Sequence, residues 1–262
     1  MAIEDRIVDR APNTIRRTAS TPAPSACWRI DDALLGDAWR QSAVREWRVI
    51  ELDGTSRVVT TEASVLCEND HGASPVYLVS SDASWAENGR LAVPEGEGFS
   101  IAIADVERSP VPRVPGPFEM DEVFRASLLE ALRSVTIDVG AFEARGEMVM
   151  AGRNGADHEA VLVAFSSGGE WETAIRVFAI AERGDDGRAL LAHVEGPTCH
   201  SCPVSLNSDD FAPSLIAAVD LDGDGKDELI VRALYYEGDG TRVYRWHRGR
   251  YWLAEKRSYL GE

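Results

Sequence analysis

Read from the N-terminus, the chain opens without a hydrophobic period. Residues 1–26 mix charges with Thr, Ser, Ala and Pro, the pattern of a disordered tail or linker. Apolar residues return at Trp28. Over residues 31–47 the positions Leu35, Trp39 and Ala43 recur at helical spacing, a short helix interrupted by Gly36. Residues 47–52 and 56–61 alternate on either side of Asp53-Gly54, which predicts a hairpin. Residues 64–67, 76–80 and 99–104 predict further short strands. Prolines at 110, 112, 115 and 117 then exclude a central strand. Residues 120–134 are the clearest helix, with Phe124, Leu128 and Leu132 on one face and Asp121 and Glu122 in the first turn. From there the pattern changes to short apolar runs punctuated by Gly, Asp or Asn: residues 136–150, 160–165, 174–181, 190–194, 215–219, 229–236, 241–246 and 251–254. That spacing suits antiparallel strands. A strong turn signal, Asp239-Gly240, separates the last pair of long runs.

The pattern predicts a mainly β chain. Its antiparallel sheets are expected in an incomplete propeller-like or stacked-sheet arrangement, with one or two short helices. The expected organisation is a tail over 1–26, an N-terminal β-rich lobe over 27–108, a proline-rich connector and helix over 109–134, and a C-terminal β lobe over 135–262. Composition supports a folded chain, since 44% of its 262 residues are hydrophobic. Charge narrows the partners. With 44 acidic residues against 27 basic ones, the net charge of −17 disfavours nucleic acid and anionic lipid. No apolar run reaches the roughly 18 residues of a membrane-spanning helix, so membrane insertion is not expected. Nor do residues 1–26 contain the apolar core of a secretory signal.

One stretch specifies chemistry. Asp220, Asp222 and Asp224 alternate, Gly225 follows, and Glu228 closes the run before Leu229, Ile230 and Val231. Hard cations such as calcium take six to eight oxygens. Carboxylates at loop positions 1, 3, 5 and 9, with the Lys226 backbone carbonyl at position 7, can supply most of that shell. A helix–loop–helix calcium hand would need Glu at position 12, where this chain has Val231, and the residues that follow read as a strand. DLDGDGKDELIV instead resembles the calcium loop of the FG-GAP and VCBS repeat families, which joins two strands of a propeller blade. The resemblance covers about twelve residues. It implies a Ca2+ site made by Asp220, Asp222, Asp224, Lys226 and Glu228, and an extracytoplasmic setting, periplasmic or secreted. The competing reading is an acidic surface turn without metal. Without an ion the four carboxylates are expected to converge with no counter-charge and splay the loop. Asp227, at position 8, is expected to face away. A fainter echo, GRNGADHEAVLVAF from Gly152, reads as a decayed repeat or as coincidence.

Other residues admit several readings. Cys199 and Cys202 form a C-x-x-C bracketed by Pro197 and Pro203, which favours a small disulfide loop over free thiols, redox chemistry or zinc. The four cysteines allow three pairings, and sequence does not choose among them. Tyr244 and Trp246 share a strand face, either as a binding surface for a protein or glycan or as core packing. No catalytic motif stands out. The sequence therefore supports a non-catalytic calcium-binding β module in recognition or surface structure. The alternative is a secreted hydrolase, glycan-acting among others, with a structural calcium site.

Overall fold

The computed structural model describes residues 14–18, 26–30, 46–68, 76–80, 84–85, 91–92, 98–103, 107–135, 137–170, 173–198, 201, 212–235 and 238–261. The chain divides into two compact units, Met1–Val111 with Glu262, and Pro112–Gly261. The division falls within the proline-rich connector.

The first unit contains β1 (Thr14–Thr18), β2 (Ala26–Ile30), β3 (Glu46–Glu51), β4 (Ser56–Glu68), β5 (Val76–Ser80), β6 (Ser84–Trp85), β7 (Leu91–Ala92) and β8 (Gly98–Ile103). An antiparallel sheet runs β1-β8-β3-β4-β2, with β5 also paired to β4, and β6 pairs with β7. The β3–β4 hairpin forms at Asp53-Gly54 as its residues demand. Gly54 adopts φ 85°, and an Asp53 carboxylate oxygen accepts the Thr55 N–H at 2.8 Å. Trp47, Val49, Ile50, Val59 and Ile101 are buried. Two expectations are corrected in this unit. Residues 14–18 are not tail but strand, because β8 supplies the backbone partners that their own composition does not advertise. Residues 56–68 are one strand rather than two, with a register shift between Thr61 and Ala63. The helix expected over 31–47 lies almost wholly outside the described residues.

The second unit is a stack of helix, sheet and sheet. Its elements are β9 (Gly116–Phe118), α1 (Glu122–Ser134), β10 (Glu143–Arg153), β11 (Ala156–Ser166), β12 (Arg176–Arg183), β13 (Ala189–Thr198), β14 (Ala212–Val219), β15 (Glu228–Tyr235), β16 (Gly238–His247) and β17 (Arg250–Gly261). Asp121 caps α1 by accepting the Phe124 N–H at 2.8 Å. The predicted stripe of Phe124, Leu128 and Leu132 is fully buried against Val161, Val163, Phe165, Val177 and Ala179. These belong to the antiparallel sheet β13-β12-β11-β10-β9. Ser127 fastens the helix to that sheet, its hydroxyl oxygen accepting the Ala189 N–H at 2.8 Å.

Alternation sends the next residues of the same strands to the opposite face. There Val149, Ala160, Leu162, Phe178 and Ile180 pack on Leu215, Leu229, Val231, Tyr244 and Tyr251 of the second antiparallel sheet, β14-β15-β16-β17. Where β14 slips register between Leu215 and Ala217, the Leu215 N–H donates to Glu147 of the facing sheet at 2.6 Å. The chain is thus mainly β and antiparallel, with stacked sheets in the second unit and α1 the one helix among the described residues. One turn is corrected. Asp239 and Gly240 lie inside β16, paired with Leu234 and Ala233, because the reversal comes earlier, between Tyr235 and Gly238.

Candidate metal centre

The acidic loop joins β14 to β15. Carboxylate oxygens of Asp220, Asp222 and Asp224 lie within 4.8 Å of one another. The loop's own N–H groups fix them there. Asp220 accepts Gly223 N–H at 2.6 Å and Gly225 N–H at 3.2 Å, Asp222 accepts Asp224 N–H at 3.1 Å, and Asp224 accepts Lys226 N–H at 2.9 Å. Gly225 takes φ 80°, which an L side chain would resist. Asp220 is half-buried; Asp222 and Asp224 are exposed. Clustered carboxylates are hard oxygen donors, the set that calcium or magnesium takes and that softer metals do not favour.

Counter-charges are present, which corrects the expectation that the carboxylates converge without them. Lys226 Nζ lies 2.7 Å from Asp224 Oδ2. Arg245, projecting from β16, reaches Asp222 Oδ2 and Glu228 Oε1, each at 3.0 Å. Glu228 is only 1% exposed, and its other oxygen accepts the Leu221 N–H at 2.8 Å. Burial pushes the Glu228 carboxyl up to about 7, with Asp222 adding to the rise and Leu221 and Arg245 opposing it. Asp224 moves the other way: burial pushes it up, but the Lys226 side chain and N–H together outweigh that, leaving it below the ordinary carboxylate range. The structure therefore groups the three aspartates closely and holds Glu228 beneath the loop, bonded to Leu221 and Arg245.

A second loop braces the first. The β10–β11 hairpin turns at Asn154-Gly155, whose φ values of 52° and 84° are those of a tight primed turn. Asn154 N–H donates to the Gly225 carbonyl, and Asp227 N–H donates to the Gly152 carbonyl, both at 2.8 Å. Asp227 Oδ2 in turn accepts the Gly152 N–H at 2.6 Å and faces Arg113 Nε at 3.1 Å. Arg113 also bonds Asp157, and its backbone pairs with Ala218 of β14. Asp227 is not one of the clustered aspartates; its carboxylate sits in a part-buried clamp made by Gly152 and Arg113. Burial raises its carboxyl above the ordinary range, with the Gly152 N–H and Arg113 opposing. The echoed segment from Gly152 thus touches the very loop it resembles.

Strand, acidic loop, strand and return strand follow one another from Ala212 to Tyr244. Residues 212–244 match the FG-GAP repeat. The stretch that is similar to the FG-GAP repeat is β14, the aspartate loop, β15 and most of β16. No curated protein and no solved structure matches the chain.

The remaining candidates fall elsewhere. Tyr244 is fully buried, its hydroxyl donating to Glu195 at 2.8 Å. Trp246 is half-buried, edge-on to Tyr251 with its face 3.3 Å from the Arg153 guanidinium carbon. The binding-surface reading of this pair is corrected: their face of β16 meets the opposite sheet. Cys199 and Cys202 lie outside the described residues. The register does place Cys27 of β2 opposite Cys67 of β4. Sequence reasoning missed Arg245, Arg113 and the Asn154-Gly155 turn. The last was visible as an Asn-Gly dipeptide between two apolar runs. It also missed a polar cluster between the two sheets, where Glu195 binds His193, Arg242 and Tyr244.

Proposed function

We propose that the second unit is a non-catalytic calcium-binding module of FG-GAP type, serving recognition or surface structure outside the cytoplasm. The carrying observation is the convergence of Asp220, Asp222 and Asp224 within 4.8 Å, on a strand-to-strand loop inside the matched repeat. In this reading those carboxylates, the Lys226 carbonyl and Glu228 hold Ca2+. The ion would tie the end of β14 to the start of β15 and hold the loop against the hairpin at Asn154-Gly155. The acidic surface suits a protein or glycan partner and a cation-rich setting, and disfavours nucleic acid. Among the described residues no helix is long and apolar enough to cross a membrane. A disulfide within C-x-x-C, Cys199 to Cys202, and a cross-strand one at Cys27 and Cys67 would accord with an oxidising compartment. The direct test is calorimetric titration of chelator-treated protein with calcium. Saturable binding of one ion supports the reading, and absence of heat at millimolar calcium rejects it.

A further inference from the structure

Arg245 is not part of the acidic loop, yet its guanidinium spans it. Nε sits 3.0 Å from Glu228 Oε1, and a terminal nitrogen sits 3.0 Å from Asp222 Oδ2. Those oxygens belong to loop positions 3 and 9, two of the proposed ligands. The Arg245 side chain is 45% exposed, so the guanidinium can withdraw into water without unpacking the core. Arg242 on the same strand differs in kind, being 2% exposed and bound to Glu195 between the sheets. We propose that Arg245 is a resident counter-cation of the loop, which competes with calcium for Asp222 and Glu228 and so sets the affinity of the site. The proposal rests on the calcium reading above.

The charge arithmetic gives it a size. Without metal, the guanidinium offsets the repulsion among the carboxylates and keeps the loop folded. A divalent ion entering beside them must take Asp222 and Glu228 from Arg245. A single positive charge about 6 Å from a divalent ion, in water-like dielectric, lowers the ion's affinity roughly tenfold. Weak sites of this kind, with dissociation constants of roughly 0.1 to 1 mM, fill where calcium is abundant and empty where it is scarce. Arg245 would thus make the loop a reporter of high free calcium rather than a permanent holder of the ion. Lys226 cannot play this part as well, because its Nζ is tethered to the loop itself and meets one carboxylate, that of Asp224.

The test is calcium titration by calorimetry, with thermal melts of the same full-length samples, on wild type, Arg245→Gln, Arg245→Lys and Arg188→Gln. Arg188 pairs with exposed Glu130 on α1, so its variant controls for net charge alone. Arg245→Gln should bind calcium about tenfold more tightly, melt lower without metal, and gain more from calcium. Arg245→Lys and Arg188→Gln should bind close to wild type. In the wild-type chain, the Arg245 Nε–H should lose protection from solvent exchange as calcium is added. Should wild type bind calcium while Arg245→Gln binds equally or more weakly, the proposal falls and the calcium reading stands. Unchanged Nε–H protection at saturation overturns it as well. If wild type binds no calcium, both readings fall together, whatever the variant does.

Discussion

Replacing Asp227 by Ala separates support of the loop from ligation by it. From sequence, position 8 of the loop faces away from the ion, so alanine there should leave the gain from calcium nearly intact. In the structure the Asp227 side chain is 11% exposed, accepts the Gly152 N–H at 2.6 Å and pairs with Arg113 Nε at 3.1 Å. Alanine removes a charge-assisted hydrogen bond worth about 1.5 to 3 kcal/mol and leaves a part-buried N–H without that acceptor. Arg113 keeps only Asp157 of its two carboxylates, in an exposed pair that adds less than about 1 kcal/mol. The expected loss is about 2 to 3 kcal/mol, or roughly 5 to 10 °C in Tm for a unit of this size. The carboxylates of Asp220, Asp222 and Asp224 are untouched, so the increment in Tm gained from calcium should persist. The assay is a thermal melt with chelator and with calcium, using Asp157→Ala as the exposed comparison. Near-wild-type stability of Asp227→Ala, or a loss matched by Asp157→Ala, would refute the clamp.

The helix and the buried glutamate give further tests. Leu128→Ala should cost about 2 to 5 kcal/mol in urea unfolding, since Leu128 is fully buried between α1 and its sheet; a near-neutral result would mean that α1 does not contribute to the core. Glu228 has a folded pKa raised to about 7, so its stabilising contribution is fully present below the ordinary 4.5 and is lost as pH rises through 7. That contribution is at most about 3 kcal/mol. In chelator, the wild type should therefore lose stability between pH 5 and 7.5 from this group, while Glu228→Gln shows a flatter profile; equal slopes would contradict the burial argument.

What sequence revealed was local. The α1 stripe of Phe124, Leu128 and Leu132 carries its own period and its own cap, so no distant residue was needed to read it. The aspartate loop likewise spells its chemistry in consecutive positions. What sequence concealed was set by partners far along the chain. Asp239-Gly240 is a good turn dipeptide, but the pairing of Leu234 with Asp239 carries it into β16. Residues 14–18 have tail-like neighbours and become strand because β8 accepts them. Alternation placed Tyr244 and Trp246 on one face without saying which face meets the other sheet. Arg245 was missed because Asp222 and Glu228, its partners, come from another strand and its loop. Arg113 sits in the proline-rich connector, and its Asp157 and Asp227 partners are remote in sequence.

Calcium itself is the most direct test of the central claim. Thermal melts of wild type and Asp222→Ala, each in chelator and in calcium, isolate the loop from the rest of the fold. At about one hundred times its dissociation constant, calcium should stabilise wild type by roughly 2.7 kcal/mol. Asp222→Ala should lose most of that gain, and magnesium should substitute poorly because it demands a tight octahedral shell. A wild-type Tm that ignores calcium, or an Asp222→Ala protein that responds as fully as wild type, would mean that the three aspartates form an acidic turn and nothing more.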